Sequence, residues 1–203
     1  SWLVESTVPS LPELGVVKLS MLQDVNIPAT GTHMRMTALH FAALRGQAQT
    51  CKALLQQGAR VSSLDLCEQT PLHFAAMNGH VECVALLIGA SAAIDPPDAS
   101  HGQTPLYTAC WRGHAECASL LLTAKADVNW AVRPAAEDRW AGWTALMYAC
   151  YKGHVACVRR LLASNADVET GEWAAGLLTA LASSCHSALL LAGLRGHTAC
   201  AAL

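Results

Sequence analysis

Histidine and cysteine recur together in this 203-residue chain at spacings that could hold a metal ion. His80 is followed by Cys83, His114 by Cys117, His154 by Cys157 and His197 by Cys200, while Cys110 and Cys150 each lie four residues before their histidine. Zinc would require four such side chains converging in a tetrahedron. The pairs instead occupy the same register of successive similar segments, and stacked equivalents lie in a row rather than around a point. The residues therefore read as packing, with each histidine in a turn and each cysteine on a buried helical face, and no metal or cofactor is expected. Nucleophilic catalysis fares no better, because the chain has no G-x-S-x-G, no glycine-rich phosphate loop and no H-E-x-x-H. No catalytic residue is assigned.

The segments that carry these pairs are Thr37 to Gly46 (TALHFAALRG), Thr70 to His80 (TPLHFAAMNGH), Thr104 to His114 (TPLYTACWRGH), Thr144 to His154 (TALMYACYKGH) and Ser187 to His197 (SALLLAGLRGH). Counted from Gly46 through Gly79, Gly113 and Gly153 to Gly196, the steps are 33, 34, 40 and 43 residues, which marks a repeat array. In the second segment Thr70 is a good helix N-cap, and Pro71 suits the first helical position. Leu72, Ala75 and Ala76 fall on one face, and Asn78-Gly79 ends the helix. Val81, Val84, Leu87 and Ile88 then repeat at three and four residues, which predicts a second amphipathic helix folding back on the first. Such a hairpin leaves a bare apolar face, so several copies must stack to make a core.

A TPLHFAAMNGH string, a Val/Cys-rich helix, a Leu-Leu or Leu-Ile pair and a GADVN-like tail resemble the ankyrin repeat. The resemblance covers about Met36 to Leu203 and implies an all-α solenoid of helix-turn-helix units with return loops. The units run over about 36–62, 67–95, 101–129, 141–169 and a truncated 184–203, preceded by a partial capping unit over 1–35 in which Leu11 to Asn26 supplies one helix. His40 and His73 match the histidine of the family motif, whereas Tyr107, Met147 and Leu190 replace it, so the later units are expected to rely on apolar packing.

The resemblance also implies where a partner would bind: at the return-loop tips and at the two positions before each first-helix glycine. Here those pairs are Leu44-Arg45, Met77-Asn78, Trp111-Arg112, Tyr151-Lys152 and Leu194-Arg195, a stripe with basic residues and an aromatic centre. Loop residues Met34, Met36, Leu66, His101, Gln103, Trp140 and Trp143 would flank it. Trp, Tyr and Arg are the types that dominate interface energetics. Against this, aromatics beside an insertion also serve to pack it down, and a cation at a helix C-terminus offsets the helix dipole. Two connections exceed the period, by about six or seven residues between Asn129 and Thr144 and by about ten between Glu169 and Ser187.

Bulk composition fits this picture. The chain is 53% hydrophobic and 14% charged with a net charge of -2, which gives no general attraction to nucleic acid or to anionic membrane. Nine cysteines, an odd number at repeat spacing, suit free thiols in cytoplasm or nucleus. Ala174 to Leu194 lacks charged residues over a bilayer's length, but Thr179, Ser183, Ser184, Cys185 and His186 interrupt it, and its second half belongs to the fifth unit. A sequence that begins with Ser and stops inside a repeat reads as part of a longer chain. The expectation is a protein-binding adaptor or scaffold for a protein or peptide partner, with an acidic segment favoured. The alternative is a regulatory or substrate-recruiting segment of a larger enzyme, such as a kinase or ubiquitin-ligase subunit.

Overall fold

Two rows of short helices stack side by side. The computed structural model describes residues 24–28, 34–132, 142–168 and 195–203. Within them α1 (Ala38–Leu44) pairs with α2 (Ala48–Gln56), α3 (Pro71–Met77) with α4 (Val81–Gly89), α5 (Pro105–Arg112) with α6 (Ala115–Thr123), and α7 (Ala145–Lys152) with α8 (Val155–Ala163). A last helix, α9 (Thr198–Ala201), packs on α8. First helices form one row, α1 to α3 to α5 to α7, and second helices form the other, α2 to α4 to α6 to α8. The all-helical solenoid expected from the pattern is the observed architecture. Among the described residues the one isolated β-type pairing, Ala131 with Thr144, closes the base of the first long insertion. The expected helix over Leu11 to Asn26 and the second insertion lie almost wholly outside the described residues, as does the apolar stretch over 174–194.

Equivalent leucines make the core continuous. Leu39, Leu72, Leu106 and Leu146 are buried in the first row, and Leu54, Leu87, Leu121 and Leu161 in the second. Each contributes on the order of 1.5–3 kcal/mol by leaving water. Alanines at 42, 75, 109 and 149, all buried, let neighbouring first helices approach closely.

The turn between the helices of each pair carries the contact that joins units. Gly46, Gly79, Gly113 and Gly153 have φ of +69°, +75°, +81° and +73°, in the left-handed region. Each is also covered by the histidine of the following unit. A Cβ at Gly46 would stand 2.4 Å from Nδ1 of His80, at Gly79 2.5 Å from that of His114, at Gly113 2.8 Å from that of His154, and at Gly153 2.6 Å from that of His197. The same rings donate Nε2–H to main-chain carbonyls of the preceding unit: His80 to Leu44 (3.0 Å), His114 to Met77 (3.1 Å), His154 to Trp111 (3.2 Å) and His197 to Tyr151 (3.2 Å). The string Gly-His thus holds two different joints: the glycine receives the next unit and the histidine reaches back to the last one.

Return loops are fastened by buried aspartates. Asp98 Oδ1 accepts the main-chain N–H of His101 and Gln103, at 3.0 and 2.9 Å, and its Oδ2 accepts Gln69 Nε2 at 3.2 Å. One unit earlier, Asp65 Oδ1 accepts the N–H groups of Cys67 and Gln69, both at 2.8 Å. Its Oδ2 is buried with no partner among the described residues. The reason lies 33 residues before Gln69, where Met36 occupies the equivalent place and has no donor to offer.

Two stability experiments test this reading. Gly79→Ala should cost about 2–4 kcal/mol in urea unfolding, from the left-handed backbone together with the displaced His114 ring. Gly58→Ala, at φ +83° but with nothing within 4 Å, should cost only about 1–2 kcal/mol, so equal losses would remove the contact from the account. Met36→Gln, which supplies the missing donor to Asp65, should raise stability by about 1 kcal/mol, and a loss would refute that assignment.

Candidate functional site

The histidines and cysteines that first suggest metal chemistry are spent on structure. His40 Nδ1 accepts the Thr37 main-chain N–H at 3.1 Å and the Thr37 hydroxyl at 2.8 Å, which places the ring proton on Nε2. That Nε2–H donates to the Gln69 carbonyl of the next loop at 3.1 Å. His73 repeats the arrangement with Thr70 and with the Gln103 carbonyl, also at 3.1 Å. In the next two units, where Tyr107 and Met147 stand in this place, the Thr104 and Thr144 hydroxyls instead accept the N–H of residues 107 and 147, both at 3.3 Å. Tyr107 and Met147 are both buried in the place of the histidine.

Seven of the cysteines are buried helix residues. Cys51, Cys83, Cys117, Cys157 and Cys200 on the second helices are buried, as are Cys110 and Cys150 on the first. Cys51 Sγ lies 3.8 Å from Cys83 Sγ. Burial pushes Cys51 and Cys150 up to about 12 and Cys117 up to about 11, while its hydrogen bond with Cys157 and its burial raise Cys110. They remain thiols and are poor nucleophiles at neutral pH. Among the described residues no group of three or more His, Cys, Asp or Glu side chains converges to hold a metal ion.

The pairs before each glycine share one geometry: Leu44, Met77, Trp111 and Tyr151 are half-buried, while Arg45, Asn78, Arg112 and Lys152 are exposed, as is Arg195 in the last unit. The carbonyls of the half-buried members are those held by the turn histidines, so the stripe rides on the inter-unit contact. At its centre is an aromatic cluster. Buried Tyr148 lies 5.8 Å from Tyr107, 6.0 Å from Trp111, 5.9 Å from Trp143 and 5.9 Å from Tyr151, measured between ring centres, with the rings edge-on or tilted. Trp143 also meets Tyr151 edge-on at 5.4 Å. This is the arrangement aromatic rings prefer, worth about 0.5–1.5 kcal/mol per pair beyond burial.

Cations cover this cluster. Arg112 Cζ lies 5.2 Å from the Trp111 ring centre, Lys152 Nζ 5.6 Å from that of Tyr148 and 5.8 Å from that of Tyr151, and Arg195 Cζ 4.1 Å from that of Tyr151. Arg195 also donates an Nη2–H to the Tyr151 hydroxyl. The sequence pattern places Trp111 and Tyr151 at the centre of the stripe as pocket-filling anchors. In the structure their rings are platforms on which positive charge stands. Trp143 packs into the cluster, in the manner of an aromatic that holds down the base of an insertion, and Trp140 lies outside the described residues. Met36 is buried, whereas Met34 and Leu66 are exposed and their loop tips join through Leu66 N–H to the Met34 carbonyl at 3.0 Å. Leu64, exposed beside them, was not singled out by the sequence pattern, which gives loop residues no period.

Comparison with known proteins bears on the whole array. A family model of ankyrin repeats, in three copies, matches residues 39–131, 97–172 and 130–203. No curated protein matches the chain.

The buried histidines give a pH dependence with a definite sign. Burial lowers His40 and His73 below the ordinary 6.5, although Asp65 near both and Asp98 near His73 oppose it. The unfolded chain therefore binds protons near pH 6.5 that the folded chain does not, and stability is full above that pH and declines below it. At pH 5.5 the loss is at most about 1.4 kcal/mol per histidine, the ceiling set by the unfolded value. Urea midpoints measured at pH 7.5 and 5.5 should fall with acid, and His73→Gln should flatten the slope; an unchanged slope would exclude His73 as its source.

Proposed function

The chain belongs to the ankyrin-repeat family, and from that premise we propose that it is an adaptor module that binds an acidic protein segment along the stripe from Arg45 to Arg195. Ankyrin repeats are generally protein–protein interaction modules and are typically non-catalytic. No helix among the described residues is long and apolar enough to cross a membrane. The binding surface is built by stacking, since equivalent positions of successive units line up into one face.

One observation carries the acidic partner: Arg112, Lys152 and Arg195 stand on aromatic faces with no carboxylate paired to them among the described residues. Unpaired cations held on a firm platform favour an anion because little side-chain freedom is lost on binding. Arg45 extends the positive stripe toward α1, Met77 and Asn78 form its neutral middle, and Leu44 supplies a half-buried apolar contact. A partner running along the stripe in extended form would meet charge over α5 and α7 and apolar surface toward α1. Trp143 supports Tyr151 from below, and Trp140 would flank the same end.

The partner is found by affinity capture on the wild-type array and its binding then measured with purified components. Reversal of Arg112 and Lys152 together to Glu should weaken it by about a hundredfold, and Trp111→Ala or Tyr151→Ala by about tenfold, as the cations lose their support. A partner that binds the double reversal as tightly as wild type would remove the stripe from the interface.

A further inference from the structure

We propose that Lys152 and Arg195 form a subsite for a phosphorylated side chain, so that the partner is recognised as a phosphopeptide segment. This rests on the reading of the stripe as the surface for an acidic partner, and adds to it a specific anion. Tyr151 is the organising group. Arg195 lies over its ring at 4.1 Å and is tied to its hydroxyl, and Lys152 Nζ stands 5.8 Å from the same ring centre. The two charges are therefore at most about 10 Å apart, on long side chains that can close on one ligand.

They come from different units: Lys152 ends α7, while Arg195 lies in the turn before α9. Stacking of the fifth unit on the fourth, through His197 and the Tyr151 carbonyl, brings them together. The Tyr151 hydroxyl engages Arg195, whose guanidinium keeps further N–H donors for a ligand, and Lys152 offers its ammonium as a point charge. Neither has a carboxylate partner among the described residues.

The chemistry of the ligand follows from counting charge. A single carboxylate would neutralise one cation and leave the other unpaired beside it. A phosphate monoester carries about −1.5 to −2 charge and three acceptor oxygens, enough to engage a guanidinium edge and an ammonium together. The cluster is local, on a chain whose net charge is -2, which suits one phosphate on a peptide better than the broad anionic face of a lipid bilayer. Arg112, one unit away on Trp111, would meet a neighbouring acidic residue of the same segment.

The test uses the whole chain and short blocked peptides of Gly, Ala and Ser, with a central phosphoserine, Glu or Ser, together with an oligoglutamate peptide. Fluorescence anisotropy should show the phosphoserine peptide binding at least about tenfold tighter than its Glu counterpart. Lys152→Ala and Arg195→Ala should each abolish most of that difference, and Arg195→Lys should restore only part of it. Arg159→Ala, a cation removed from the exposed face of α8, should leave it unchanged; urea unfolding checks that each variant is folded. Equal binding of the phosphoserine and Glu peptides would overturn the subsite, as would vesicles of anionic lipid binding as tightly as the phosphopeptide in a Lys152- and Arg195-dependent way. If oligoglutamate binds through Arg112 and Lys152 while phosphoserine adds nothing, the subsite falls and the acidic-partner reading stands. If no peptide binds, both fall.

Discussion

The seating of one unit's histidine on the previous unit's glycine is the constraint on which the rest of this fold depends. The backbone at Gly46, Gly79, Gly113 and Gly153 needs a left-handed residue, and the ring that follows needs bare Cα surface. Either demand favours glycine, and together they leave no other residue that fits without displacement. The contact also saturates a carbonyl at the end of each first helix, where main-chain acceptors have no partner within the helix. Core leucines supply most of the burial, but they would tolerate small shifts along the stack. The ring, closed between a Cα and a carbonyl, sets the register of one unit on the next.

The array divides by chemistry near its middle. In its first half His40 and His73 lock each helix start to the following loop through hydrogen bonds. In its second half Tyr107 and Met147 stand in the histidine's place, Tyr107, Tyr148, Trp111 and Trp143 form a cluster of rings, and Arg112, Lys152 and Arg195 settle on rings at this end of the stripe. Loss of the histidine lock coincides with gain of a charged aromatic surface. The aromatic joint makes the same side chains serve as core on one side and platform on the other.

Much of the fold is legible in the sequence because it is local and periodic. Helix starts at Thr70-Pro71, helix ends at Gly79, and the buried leucines all follow from spacings inside one unit. The meaning of Gly-His does not, because adjacent letters take part in contacts with units on opposite sides. Gln47 makes the point: it replaces histidine in the first pair, before which no described residue offers a glycine turn. The candidate surface is half legible. Register alone identifies Trp111, Arg112, Tyr151 and Lys152, but which ring a flexible cation covers depends on packing 44 residues away, as between Tyr151 and Arg195. The orphaned oxygen of Asp65 shows the same limit, since the cause is an absent donor at Met36 on another unit.

The two-sided nature of the turn bears on how such an array can grow. The units built on α3–α4, α5–α6 and α7–α8 each carry a glycine for the successor and a histidine for the predecessor, so tandem duplication of such a unit recreates both halves of the joint. The α5–α7 junction is the exception. A duplicated α5–α6 unit would set Thr108, and not Tyr148, against Trp111, because these two residues occupy equivalent places in their units. A copy of the α3–α4 unit keeps the joint, whereas a copy of the α5–α6 unit changes the ring contact at this seam. The Trp111–Tyr148 contact therefore survives only while these two units stay adjacent.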